Sequence, residues 1–471
     1  MTLMNFSYDK LEQWDQEEKV AKVLSEALES QKSVSDKKVK EFYEELFIAT
    51  LEGAPVAYVS DSNVAVREYS FLVTTCALFS AVWYTTRYQA KHCSPFCVKT
   101  FDGYVYFMQF GCLLFVWKVG NFNPYYRIER AFHLIARALT FFFSPNISQS
   151  TWLREHSSVF YIIKEHAAFH FSIKELLYGR RFVHPSYLMG AIRCMPSPYP
   201  EGRSLLSDSL KPLTAKGALH VVLFHDPSKR FIAACRQKGV VPLSIDELEL
   251  FILLSWVAQE RLLDICGYIQ LERSYQLVSI IFDYVKDISV GHDWLLLFVV
   301  KRKDYNPLMN AWSLYKERWI QQLRTRQILK DVDGFLQNPL SCKIISDHLK
   351  TPFPVHVIFY YRGLQLLVDT FASSNLFEKE IYDVGILWTK ERVTEIIVHK
   401  ERGHTWLCQS IGDNPPVNVV VFLQFELNEE HYGQLVSRIQ SWFHRKQMSL
   451  FPLDWMEYFQ RKGKWNIGHW L

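Results

Sequence analysis

The sequence lacks an apolar run long enough to span a membrane. Its nearest candidate, residues 71–86, is about one helical turn short of the ~18–20 residues that a spanning helix needs, and Thr and Ser interrupt it. The N-terminus is acidic and amphipathic, without the basic segment and apolar run of a signal peptide. We therefore expect neither a spanning helix nor a secretory leader.

A strong excess of charge of one sign is also missing. Lys and Arg total 53 and Asp and Glu total 49, which leaves a formal net charge of +4. That value is too near neutral to predict a nucleic-acid partner. Hydrophobic residues make up 49% of the chain and aromatic residues 15%. This is enough for a large core and for additional apolar residues on the surface. The apolar surplus indicates a protein partner.

Recognisable catalytic motifs are absent as well. The chain has no GxxxxGK[ST] phosphate loop, no GxGxxG at the start of a helix and no GxSxG nucleophile elbow. These absences shift the interpretation from an enzyme towards a binding or regulatory protein. We accordingly predict no catalytic residue and no cofactor.

Two small clusters have residue types that bind metals. His166 and His170 share a helical face, as in zinc proteases, but the position that would supply the general-base Glu is Ala. Cys93 and Cys97, with His92, lack a second ligand pair at zinc-finger spacing. We favour helix-surface histidines and core or loop thiols, and predict no metal site. The nine scattered cysteines are typical of reduced thiols in a cytosolic protein.

The order of predicted elements is ββαβββα, and it recurs along the chain. A hairpin at residues 46–59 is followed by a helix over 62–84, three strands between 96 and 119, and a helix to about 143. Similar orders start near residues 218 and 355, and Ser244 with Glu247 forms a capping box in the second. We predict an α+β fold of three modules, each an antiparallel five-stranded sheet with flanking helices, joined by helical linkers.

The predicted domain boundaries follow from this repetition. They are an N-terminal helical arm at 1–41, a first module at 42–150, a helical linker at 151–217, a second module at 218–330, a third at 350–447, and an aromatic and basic tail at 448–471.

Several segments resemble one known family. They are residues 47–58, 101–115, 181–185, 218–220 with 228–229, 232–250 (including 243–248) and 353–360. In these segments and in its order of elements, over roughly residues 42–445, the chain resembles the tri-longin Rab activators. These include the SAND-family Mon protein of the Mon–Ccz complex and the Hermansky–Pudlak type-one subunit of the BLOC-three complex. Both branches fit.

The resemblance implies longin-like modules and a function in membrane trafficking. The chain would pair with a second tri-longin subunit, Ccz-like or Hermansky–Pudlak type-four-like, and act as an exchange factor for a small Rab GTPase. It would be cytoplasmic and recruited peripherally to late endosomes, lysosomes or lysosome-related organelles. The alternative is a longin scaffold or effector that binds a GTPase without exchanging its nucleotide.

The predicted helix over residues 62–84 is apolar on opposite faces. At 100° per residue, Phe71, Leu78 and Val82 lie opposite the face that would pack on the sheet. This second face needs a cover, either the helices after residue 151 or another chain. We predict Phe71, Leu78 and Val82 as partner-interface residues.

The C-terminal tail combines basic and aromatic residues. Residues 461–465 are rich in Arg and Lys, and Trp455, Phe459 and Trp470 lie around them. Such a tail could contact an anionic membrane surface, although a charge run is more often a solvated face.

Overall fold

A computed structural model of the chain describes most of its repeated region. The described residues are 44–60, 68–87, 95–101, 103–121, 123, 125–156, 158–178, 191–195, 200–225, 229–258, 265–271, 274–287, 292–325, 342–350, 355–361, 363–369, 396–401, 404–411, 417–423, 428–451 and 458–459. The chain divides into two compact units, Met1–Phe182 and Val183–Leu471. Because the described residues begin at 44, the predicted N-terminal arm at 1–41 lies outside them.

The first unit contains one five-stranded antiparallel sheet. Its elements are β1 (Glu45–Thr50), β2 (Pro55–Ser60), α1 (Tyr69–Arg87), β3 (Phe96–Thr100), β4 (Gly103–Phe110), β5 (Leu113–Val119), α2 (Tyr125–Phe142), α3 (Ser150–Glu155), α4 (Val159–Glu165) and α5 (Ala167–Tyr178). The strand order is β2-β1-β5-β4-β3. Because successive side chains point to opposite faces, strands this apolar must be covered on both sides.

The two faces of this sheet are covered by different helices. Phe47 and Phe107 pack on α1 through Phe79, with ring centroids 5.2 and 5.8 Å away. Phe115 and its neighbours on the other face pack on α2, where Phe132 lies 5.7 Å from Phe115. The result is a three-layer helix–sheet–helix module.

The segment predicted as a linker, residues 151–217, is divided between the two units. Helices α4 and α5 pack against the edge strand β2, and α5 also contacts α2. Phe169 of α5 lies 6.1 Å from Phe142 and 5.4 Å from Phe143. These helices complete the first module, and the rest of the segment belongs to the second unit.

The second unit begins with a short strand, β6 (Ile192–Arg193), which pairs in the sheet of the third module. The elements of the second module follow: α6 (Pro200–Ala215), β7 (Ala218–His225), β8 (Arg230–Arg236), α7 (Ile245–Ala258), β9 (Ile265–Leu271), β10 (Ser274–Asp287), β11 (His292–Lys301) and α8 (Tyr305–Thr325). The sheet order is β8-β7-β11-β10-β9. Leu206, Leu210 and Leu213 of α6 join Trp312 and Trp319 of α8 in one core cluster with this sheet.

The predicted capping box opens α7 as expected. Ser244 Oγ accepts a hydrogen bond from the Glu247 backbone N–H at 3.2 Å, and the Glu247 carboxylate accepts one from the Ser244 N–H at 2.8 Å. Two donors that a helix start leaves free are thereby satisfied.

The third module follows in the same unit. Its elements are α9 (Cys342–Leu349), β12 (Val355–Tyr361), β13 (Leu366–Asp369), β14 (Ile397–Glu401), β15 (His404–Ile411), β16 (Val417–Leu423) and α10 (Tyr432–Leu450). The sheet order is β14-β15-β16-β12-β13-β6, in which only β6 is parallel to its neighbour. The repeated order also predicts a helix between the second and third strands of this module, near residues 377–389, which lie outside the described residues.

One strand order therefore occurs three times. Numbering each module's strands along the chain, all three sheets read 2-1-5-4-3, in one direction or the other. The α+β prediction is confirmed. The order ββαβββα occurs in the first two modules, and the third shows its five strands and its final helix.

Candidate partner-binding surface

Helix α1 is seated on the first sheet by its middle residues. Leu72, Cys76 and Phe79 are at most 1% exposed, and they belong to the sheet's core cluster. Burial raises the pKa of the Cys76 thiol to about 12, so this cysteine is an unreactive core residue. The Ser80 hydroxyl donates to the Leu51 carbonyl and attaches the helix to the β1–β2 turn.

The same turn approaches α1 closely because it contains a glycine. Gly53 has φ of +90°, and a Cβ added there would lie 2.7 Å from the Cα of Ala77. Only glycine combines this backbone conformation with so close an approach.

The opposite side of α1 is open to solvent and uncharged. Val73 and Tyr84 are 39% and 45% exposed, and Ala77 and Ala81 are exposed between them. From Tyr69 to Tyr84 the helix has no Asp, Glu, Lys, Arg or His. A surface helix normally presents charged residues to water, so this face is unusual.

The threonine hydroxyls on this side do not make it more polar. Thr74 Oγ1 donates to the Ser70 carbonyl at 3.0 Å, and Thr85 Oγ1 donates to the Ala81 carbonyl at 2.8 Å. Each hydroxyl hydrogen is thus used within the helix.

Helix α4 extends the exposed apolar area. Tyr69, at the start of α1, lies 5.2 Å from Phe160 and stacks on Tyr161 at 5.9 Å between ring centroids. Tyr161 and its neighbour Ile162 are 53% and 50% exposed. We define the α1 surface as the exposed apolar residues of these two helices: Tyr69, Val73, Ala77, Ala81, Tyr84, Tyr161 and Ile162.

The predicted interface residues lie elsewhere on the helix. Val82 is 6% exposed and belongs to the core, while Phe71 and Leu78 are half-buried and pack against the core's edge. The core therefore takes up part of this second face of the helix, and contact of these three residues with a partner stays a prediction. A helix after residue 151 does cover the start of α1, where Phe160 lies 5.2 Å from Tyr69.

The corresponding helix of the second module is covered almost completely. Between Ile245 and Ser255 of α7, only Asp246 and Ile252 are partly exposed, and no residue is fully exposed. Strand β6 contacts α7, and even the acidic side chain of Glu249 is only 6% exposed. The first module thus leaves open a helix that the second module buries.

The two histidines considered as metal ligands have structural partners. His166 Nδ1 accepts a hydrogen bond from the Phe169 N–H at 3.2 Å and so caps α5, and His170 Nε2 lies 3.0 Å from the Ile163 carbonyl. Burial lowers the pKa of both imidazoles. Within the part of the chain that the structure describes, no three His, Cys, Asp or Glu side chains are grouped as metal ligands. Cys97 is half-buried, and His92 and Cys93 lie outside the described residues.

The described part of the C-terminal tail packs on the second module. The Tyr458 hydroxyl is 3.1 Å from His220 Nδ1, and the Phe459 ring is 5.4 Å from that of Phe231. The basic segment at 461–465 lies outside the described residues. Among the helices that the structure describes, none has the length and apolar character needed to cross a bilayer.

Comparison with known proteins provides no identity. No family model matches the chain, and no curated protein does. One solved structure, an extracellular ligand binding receptor from Desulfohalobium retbaense DSM5692, aligns at 10% identity with a TM-score of 0.12. The alignment covers 74% of this chain and 52% of the receptor, about half of its length. A superposition this poor supports no statement about fold or function.

Proposed function

We propose that the chain is a subunit of a heterodimeric guanine-nucleotide exchange factor for a small Rab GTPase. Its three sheets would be longin modules, and its partner would be a second tri-longin protein. The observation that best supports this proposal is the threefold repetition of one strand order, 2-1-5-4-3, together with the resemblance of the opening hairpins. The exchange factor would act in vesicle trafficking and organelle biogenesis.

Exchange of this kind needs no catalytic acid, base or metal. A protein that binds the nucleotide-free GTPase more tightly than the loaded form lowers the affinity of the GTPase for its nucleotide by the same factor. A tenfold loss of nucleotide affinity requires only about 1.4 kcal/mol of such differential binding. Shape and surface chemistry are sufficient, which is compatible with a chain that carries no familiar catalytic motif.

The α1 surface is the area we assign to the second subunit. It is apolar, uncharged along α1, and built on a helix whose other side packs in the core of the first sheet. The buried α7 supports the assignment, since the equivalent helix of the second module is covered by its own chain. We expect a partner with an equally uncharged face, because a charged group buried there would lose its hydration without a counter-charge.

The proposed site of action is the cytoplasmic face of late endosomes, lysosomes or lysosome-related organelles. Recruitment would be peripheral, and residues 461–465 with their aromatic neighbours offer basic side chains for anionic lipids.

The test has a binding step and a kinetic step. The full chain is co-expressed with candidate tri-longin partners, and each stable complex is assayed for release of labelled GDP from a panel of Rab GTPases. We expect one complex to accelerate release from one Rab by at least tenfold. If every stable complex binds a Rab without accelerating release, the scaffold or effector function replaces this proposal.

A matched pair of variants tests the surface. Val73→Asp places a charge on the α1 surface and should abolish pairing, whereas Leu314→Asp changes another exposed residue, 85% accessible on α8, and should not. Normal pairing of a folded Val73→Asp chain would rule out the α1 surface as the interface.

A further inference from the structure

A short strap, residues 191–195, joins the second and third sheets. The Ile192 and Cys194 N–H groups donate to the Gln365 and Leu367 carbonyls of the third module at 2.9 and 2.8 Å. The next N–H, that of Met195, donates to the Phe231 carbonyl of β8 at 2.8 Å. The strap therefore pairs with an edge strand of each sheet.

The strap is parallel to both strands that it joins. Residues 192 and 193 pair with β13, and Cys194 forms a parallel bridge with Phe231. All five of its residues are buried. Parallel pairs are slightly weaker per residue than antiparallel ones, so such a short strap gains little stability from its backbone alone.

A buried ion cluster adds side-chain contacts at the same place. Arg193 donates two hydrogen bonds to Asp369, Nε to Oδ2 and Nη2 to Oδ1, both at 2.8 Å. Arg230, from β8, lies 3.6 Å from the same carboxylate. The exposed fractions are 9% for Arg193, 7% for Arg230 and 1% for Asp369. One acid of the third sheet thus faces an arginine of the strap and another of the second sheet.

The three buried charges of Arg193, Arg230 and Asp369 affect one another strongly. Burial and, to a smaller extent, the Arg193 charge lower the pKa of Arg230, the Asp369 charge raises it, and the net pKa is about 10. In so dry a place the bidentate geometry favours one register of the strap, because a shift of one residue would turn Arg193 to the other face of the sheet.

We propose that the strap, latched by Asp369, is a clasp that makes the second and third modules a single cooperative body. This role goes beyond pairing or GTPase binding, since the clasp decides whether the two modules unfold together or separately. Removing the Asp369 carboxylate takes away the group that both arginines face, while their burial remains. The strap should then leave its place even though most of each module's core is unchanged.

The test compares Asp369→Asn with Asp283→Asn in the full chain. Asp283 is a matched acid within the second module, where it accepts hydrogen bonds from Lys316 and Trp312. Hydrogen exchange of peptides covering residues 191–195 should become about 100-fold faster or more in Asp369→Asn. The second and third sheets, which should exchange with one common rate in the wild-type chain, should then exchange with two.

The control should leave the strap protected. Unchanged protection of residues 191–195 in a folded Asp369→Asn chain would overturn the proposal. So would equal release of the strap by Asp283→Asn.

A milder variant answers the question if Asp369→Asn does not fold. Arg193→Lys keeps the positive charge but cannot form the two parallel hydrogen bonds. We expect about tenfold faster exchange of the strap in this variant. Wild-type protection in Arg193→Lys would contradict the clasp.

Discussion

Helices α1 and α7 occupy the same position in two repeats, between the second and third strands of their sheets. Both are rich in apolar residues, yet α1 leaves Val73 and Tyr84 about 40% exposed, while α7 has no fully exposed residue between Ile245 and Ser255. The difference lies in their surroundings: β6 contacts α7, and the described tail packs on the same module. Repeats with one topology can therefore use the same helix as core in one copy and as surface in another.

The largest expected effect is on the free energy of unfolding, when a charge is placed on α7 and, for comparison, on α1. Leu254→Asp in α7 places a carboxylate where the wild-type side chain is 0% exposed, and should cost more than about 4 kcal/mol of unfolding free energy. Val73→Asp in α1 should cost less than about 1 kcal/mol, since water can still hydrate the new charge. Urea unfolding of both full-length variants measures the contrast, and equal losses would remove the distinction between the helices.

Acidification tests the cover over the second module. Burial lowers the pKa of His220, beneath Tyr458, to about 3. The unfolded chain binds a proton near pH 6.5 and the folded chain does not, so the contribution of His220 is complete above pH 6.5 and declines as the pH falls towards 3. Between pH 6.5 and 5.0 the loss should be about 2 kcal/mol.

The measurement is urea unfolding of the full chain at these two pH values, with His220→Gln as the comparison. Burial also lowers the pKa of His356 in this unit, so the variant should flatten the pH dependence without abolishing it. If the free energy of unfolding of His220→Gln depends on pH as strongly as that of the wild-type chain, Tyr458 and its neighbours do not exclude water from His220.

The smallest expected effect on stability concerns the close contact between the β1–β2 turn and α1. Gly53→Ala and Gly239→Ala both put a side chain at φ of +90°, but only the first brings a Cβ within 2.7 Å of backbone, whereas the second meets nothing within 4 Å. Each should lose about 1 kcal/mol from backbone strain, and Gly53→Ala about 1 kcal/mol more from the close approach to α1. Thermal unfolding of the two variants measures this difference. Equal losses would mean that the turn can move away from α1 at no cost.

Much of the fold could be predicted from local patterns. The Ser244 capping box, the β5 strand at residues 113–119 and the repeated order of elements all depend on neighbours within a few residues. The α1 surface could be predicted only in part, since the helix was expected but its rotation on the sheet was not. Val82 is apolar at helical spacing whichever side it faces, and only its contacts in the core show that it is buried.

The sequence by itself determined three α+β repeats, because hydrophobic period, turn residues and caps are properties of short segments. Tertiary structure alone decided which helix stays open and how the second and third modules are joined. Arg193 and Asp369 are 176 residues apart in the chain, and no local pattern indicates that they meet. Burial, and with it the choice between core and surface, depends on such distant contacts because each face is covered by whichever segment the complete fold brings to it.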